Sequence, residues 1–151
     1  MKKIFLFLTL TIVVFSTNSC SSDSDRTGKS DKAIGTISFK IDGVQRTYNS
    51  IHFREETYLA GTPDEYVSVE IYTDSGNYGD AIGFSFIKGD MDHIYNFTYI
   101  VGGDMGFLPK DGFLYTITSN GNDNKLIGAF SGIIEGSPDM NITEGTFNIQ
   151  Y

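Results

Sequence analysis

The sequence predicts an all-β domain: an antiparallel sandwich of two sheets, with a small open barrel as the alternative. Three observations carry this. Apolar residues recur at every second position in successive runs: Ile37, Phe39 and Ile41; Val67, Val69 and Ile71; Ile82, Phe84 and Phe86; Phe147, Ile149 and Tyr151. That period puts one face of a strand on a core and the other in water. The runs are short and separated by Gly, Asn, Asp and Pro, the residues of tight turns. Twelve Phe, nine Tyr and seventeen Gly, with no Trp, fit strands joined by such turns. Short strands at even spacing point to a sandwich or a barrel.

The chain before this domain has a different character. Residues 1–19 read as a secretory signal helix that is cleaved on export. Lys2 and Lys3 form a positive head, and residues 4–15 are apolar except for Thr9 and Thr11. Small and polar residues follow (Ser16, Thr17, Asn18, Ser19). This run is too short to cross ~30 Å of hydrocarbon as a helix, and it lacks the amphipathic stripe of a core helix. Cys20 comes next and is the only cysteine. A lone cysteine in an exported protein has no internal disulfide partner. The stretch Thr17-Asn18-Ser19-Cys20 resembles the lipobox of bacterial lipoproteins, in which the cysteine is lipidated and becomes the new N-terminus. The resemblance implies a lipid anchor at Cys20 and an outer-membrane location. Several acyl chains hold stably, because each buried methylene contributes roughly 0.8 kcal/mol.

Residues 20–32 read as the lipidated cysteine and a flexible tether. Residues 21–31 contain no apolar side chain, so they have nothing to bury. Ser22, Asp23, Ser24 and Asp25 resemble the acidic surface-export signal of Bacteroidota lipoproteins, which implies display outside the cell. Residues 33–151 then form the single β domain. Loss of Lys2 and Lys3 with the leader moves the formal charge from −8 to −10. So acidic a chain lacks the cations to neutralise phosphates, which argues against nucleic acid. Self-repulsion favours a soluble monomer.

Within the domain, residues 36–41 alternate, Asp42-Gly43 forms a hairpin turn, and residues 44–48 return. Further strands are expected around Ile51 and Phe53, over residues 67–72 and 82–86, and over 94–100. Others follow over 113–117, over 126–135 and from Ile142 to Tyr151, making eight or nine in all. Gly128 and Gly132 predict a bulge or a close backbone approach in the long strand. Residues 101–111 are the least regular stretch, with Met105, Phe107 and Leu108 set among glycines.

The opening Ile37-Ser38-Phe39-Lys40-Ile41-Asp42-Gly43 and the closing Gly128-Ala129-Phe130-Ser131-Gly132 and Ile142-Thr143-Glu144-Gly145-Thr146-Phe147 resemble small Bacteroidota lipoproteins of unknown function. The likeness covers the two ends of the domain and implies no activity.

No motif for catalysis stands out. His52 and His93 are far apart, and no nucleophile elbow or zinc-binding spacing accompanies them. Glu55-Glu56 and Asp64-Glu65 are adjacent pairs, which on a strand point to opposite faces and not across a cleft. Among metals, calcium is the better candidate, through Asp74, Asn77 and Asp80 or through Asn122 and Asp123; those residues also favour turns for conformational reasons alone. Tyr48, Tyr72, Tyr78, Tyr95 and Tyr99 are too many to fit a core that also holds the domain's nine Phe. They either pack at sheet rims with hydroxyls in water or form a face that stacks on sugars or docks a protein. The expected function is therefore not enzymatic. The domain is an envelope module that binds a glycan, peptide or partner protein, or else a structural or inhibitor-like lipoprotein with no ligand pocket.

Overall fold

Asp42 and Gly43 take left-handed backbone, with φ of 49° and 81°, as a two-residue hairpin turn requires. The computed structural model describes residues 28–74, 79–102, 105–121 and 123–151. The leader, Cys20, Ser22, Asp23, Ser24 and Asp25 lie outside the described residues, as do Asn77, Tyr78 and Asn122. The turn joins β1 (Gly28–Ile41) to β2 (Val44–Tyr48), with Ile41 opposite Val44 and Ile37 opposite Tyr48. The chain runs on along the same edge of β1 as β3 (Ile51–Tyr58), with Ala33 opposite Ile51 and Gly28 opposite Glu56.

Antiparallel pairing then builds outwards. On one side lie β4 (Tyr66–Thr73), β5 (Asp80–Ile87), β6 (Tyr95–Val101) and the short β7 (Met105–Phe107). On the other lie β10 (Met140–Gln150), β9 (Lys125–Ile134) and β8 (Leu114–Asn120). The order is β7-β6-β5-β4-β3-β1-β10-β9-β8, with β2 beside β1. The described residues contain no helix, and the strands form one strongly curled sheet, a half-barrel.

The sequence predicted a sandwich of two sheets, with a small open barrel as the alternative, and the hydrogen bonds give one curled sheet. The cause is the length of β1. Residues 28–33 pair with β3 and residues 34–41 pair with β10, so one strand carries the ladder from one arm to the other. Gly35 sits where the pairing changes hands. Its φ is +148°, and a Cβ there would lie 2.1 Å from the Asn148 carbonyl oxygen, so no other residue fits.

The start of the domain also needs correction. β1 begins at Gly28, so residues 28–32 are sheet and not tether. All five are exposed, so a search for buried side chains misses them. Backbone pairing holds them, with Lys29 opposite Glu55 and its ammonium 5.4 Å from the Phe53 ring centre.

The inward rows of the two arms meet in one core. Phe84 lies 5.6 Å from Phe147, Phe97 lies 5.3 Å from Phe130, and Phe86 lies 5.5 Å from Tyr151, ring centre to ring centre. The expected alternation in the last strand holds: Phe147, Ile149 and Tyr151 are buried, and Asn148 and Gln150 are exposed.

Among the described residues the sheet ends do not pair with each other. Hydrogen bonds at both ends of the gap tie the arms together. Beyond β7 the chain passes to the other arm, where the Lys110 amide donates to the Ile133 carbonyl at 2.9 Å and the Glu135 amide to the Leu108 carbonyl at 2.8 Å. At the opposite end the Asn120 side-chain amide donates to the carbonyls of Ile87 at 2.8 Å and Asp90 at 2.6 Å. Between these ties β6 and β8 stay unpaired, leaving a seam.

Candidate functional site

The alternation that buries Ile51, Phe53, Val69, Ile71, Ile82 and Phe84 turns the intervening residues of β3–β6 outwards. They form a groove of about 550 Å³, within the ~300–1,000 Å³ usual for small-molecule sites. The register sets its rows. Arg54 lies opposite Glu70, and Glu70 opposite Ser85. Tyr72 lies opposite Gly83, and Gly83 opposite Thr98. Gly83 therefore places a gap between two larger side chains. A Cβ there would meet only Ile71 O at 3.6 Å and Tyr72 Cβ at 4.0 Å, so the residue is small without strain demanding it.

Tyrosines stand at two places along the groove. The Tyr58 ring stacks on Tyr66 at 5.1 Å, and the Tyr72 ring stacks on His52 at 5.3 Å. Between them, Glu56 accepts from the Tyr58 hydroxyl and pairs with the Arg54 guanidinium, each at 2.6 Å. The remaining polar groups come from Ser68, Glu70, Ser85, Asn96 and Thr98. Arg54 is matched by Glu56, Glu70 leaves the lining one net negative charge, and the side chains offer both donors and acceptors. It suits a ligand with apolar faces and many hydroxyls.

A second cluster lies inside. Asp80 is 2% exposed. The Tyr48 hydroxyl donates to its Oδ1 at 2.7 Å, the Tyr99 hydroxyl donates to Oδ2, and Arg46 Nε donates to Oδ2 at 3.0 Å. Burial, and then the hydrogen bond to Asp80, push the Tyr99 hydroxyl up to about 12 and the Tyr48 hydroxyl higher still. Both tyrosines belong to the core, at 3% exposure each, and not to the exposed aromatics expected from the sequence. They fit because Asp80 satisfies their hydroxyls. Tyr72 and Tyr95, by contrast, are exposed.

Asp80 thus faces inward, whereas Asp74 faces out, bound to Ser50 and 3.1 Å from His52 Nε2. The structure does not bring these two calcium candidates together, and Asp123 is exposed on the β8–β9 turn. No three His, Cys, Asp or Glu converge as a metal site among the described residues. The Ser50 hydroxyl donates to Asp74, which holds His52. The carboxylate lies between hydroxyl and imidazole, the wrong order for an imidazole to take the hydroxyl proton. His93 Nδ1 lies 3.1 Å from Asp90. The carboxyls of Asp74 and Asp90 are held below their usual range, the first chiefly by the Ser50 hydroxyl and the second chiefly by the Asp92 amide. Glu55 turns inward towards Lys88 at 3.7 Å and Glu56 outward, as neighbours on a strand must. Glu65 accepts from the Gly61 amide at 2.7 Å, and Asp64 is exposed.

The groove was missed in the sequence because its residues come from four strands, each carrying an unremarkable polar phase. Its one available signal was the Tyr and charged content of residues 54–72. No family model, curated protein or solved structure matches this chain.

Proposed function

We propose that this chain is an envelope lipoprotein, anchored in the outer membrane through Cys20, whose β3–β6 groove binds a neutral glycan. The carrying observation is the groove itself: tyrosine rings at Tyr58 and Tyr72, with a row of hydrogen-bonding side chains that includes the Arg54–Glu56 pair between them. Sugar rings present apolar faces for stacking and hydroxyls for such a row. The lipobox-like Thr17-Asn18-Ser19-Cys20 and the acidic Ser22-Asp23-Ser24-Asp25 support anchoring and outward display.

Gly83→Leu tests the reading, because it fills the groove from a backbone that tolerates a side chain. The full chain is held in a polyoxyethylene detergent and titrated calorimetrically with neutral hexasaccharides of glucose, mannose and xylose. At least one should bind, with Gly83→Leu weakening it more than about tenfold and Tyr72→Ala by about three- to tenfold. Unchanged binding by Gly83→Leu, or no binding of any saccharide by the wild type, overturns it.

A further inference from the structure

We infer that the seam between β6 and β8 is a second binding site, which takes an extended, basic polypeptide strand from another protein. The sheet lacks a strand there. Among the described residues β8 pairs with β9 alone, and β7 covers β6 only over Tyr99–Val101. The outer edge of β8 and the edge of β6 before Tyr99 therefore carry backbone donors and acceptors with no sheet partner, on either side of one gap. Such edges are templates for another strand.

The gap is a slot of about 410 Å³. Phe97 and Phe113 meet across it at 4.8 Å, and Ile94, Leu108, Pro109 and Tyr115 complete its apolar lining. Leu108 and Leu114 stand 53% and 68% exposed at this edge, where an isolated monomer gains nothing from them. An inserted strand would pair along β8 and send alternate side chains into the slot.

Charge selects the occupant. Asp90 and Asp92 precede β6, Asp111 lies between the slot-lining Lys110 and Gly112, and Asp123 is exposed on the turn that follows β8. The slot's own lining carries one charged residue, Lys110, which pairs with Asp139 at 2.6 Å; Lys88 turns to Glu55 and the Tyr151 ring, and His93 rests on Asp90. An acidic rim around an apolar slot complements a peptide alternating apolar and basic residues. It repels a second copy of this chain, whose formal charge is −8.

The probe is the octapeptide (Lys-Val)₄, compared with (Glu-Val)₄, against the full chain in neutral detergent. Amide exchange and titration are read together. The basic peptide should bind and slow exchange in residues 114–120, and the acidic one should bind at least about tenfold more weakly. Raising salt from 0.05 to 0.5 M should weaken the basic peptide several-fold. Leu108→Lys should lose about tenfold and Asp111→Lys about threefold, with unchanged melting points. Leu59→Lys, on the distant β3–β4 turn, should bind as wild type. No binding, equal binding of both peptides, protection outside residues 94–98 and 108–120, or dimerisation of the chain without peptide binding would each overturn the inference.

Discussion

At the scale of single residues, Asp80 has the largest consequences. One carboxylate on β5 satisfies two tyrosine hydroxyls and a guanidinium drawn from β2 and β6. Removing it leaves Arg46 and two hydroxyls desolvated together. Asp80→Ala should cost about 3–5 kcal/mol, measured by urea unfolding. The same cluster sets an alkaline limit. An unfolded tyrosine titrates near ~10, whereas Tyr99 and Tyr151 are pushed to about 12, in both cases mainly by burial. The folded state therefore keeps protons that the unfolded state releases. Stability from these groups is complete below pH ~10 and falls as pH rises through ~12. In a titration at 295 nm, Tyr48, Tyr99 and Tyr151 should ionise only with unfolding; their ionising in the folded protein near ~10 would refute the burial of these hydroxyls. None of this was legible in the chain. Asp80 closes a Gly- and Asn-rich run that reads as a loop, and its partners Tyr48 and Tyr99 stand 32 and 19 positions away.

At the scale of elements, sequence reading located nine of the ten described strands, β2 as the return of the Asp42-Gly43 turn and the others because each carries an inward row against one core. It failed where that row is absent. The first five residues of β1 bury nothing, and β7 is only three residues long. Both are held by backbone pairing that no side-chain pattern announces. The closing strands were legible in more detail. Phe147 fits because Gly128 opposite has no side chain: a Cβ there would lie 2.3 Å from the Phe147 ring and 2.2 Å from the Thr116 carbonyl oxygen. Phe147→Ala should cost about 3–5 kcal/mol, and Asn148→Ala, on the solvent face, under about 0.5 kcal/mol. Gly128→Ala should cost about 1–3 kcal/mol through overpacking. If Phe147→Ala partly rescues Gly128→Ala in a double-mutant cycle, the two clash as the geometry says. Strict additivity would mean that they do not meet.

For the whole molecule, the reach of the proposed anchor follows from where the sheet starts. A tether running to residue 32 would give twelve residues between Cys20 and the domain. With β1 beginning at Gly28, residues 21–27 remain. Seven residues span at most about 25 Å when extended, so a lipid on Cys20 would keep the half-barrel close to the bilayer. Its formal charge of −10 after leader removal would repel an anionic surface. Cys20→Ala should move the protein from the membrane fraction to the soluble one; retention in the membrane would defeat the anchor. Display is then tested on intact cells with a protease unable to cross the outer membrane. If the domain faces outward, the protease should release a fragment that antibody detects in the medium, because the paired strands beyond Gly28 resist attack. Replacing Asp23 and Asp25 with Ala should withdraw that fragment while leaving the protein membrane-bound. Release that needs the outer membrane broken first would put the wild-type domain in the periplasm. Release undiminished in the double variant would take the export role away from those two carboxylates. Because the anchor and the address are read in separate fractions, failure of one leaves the other standing.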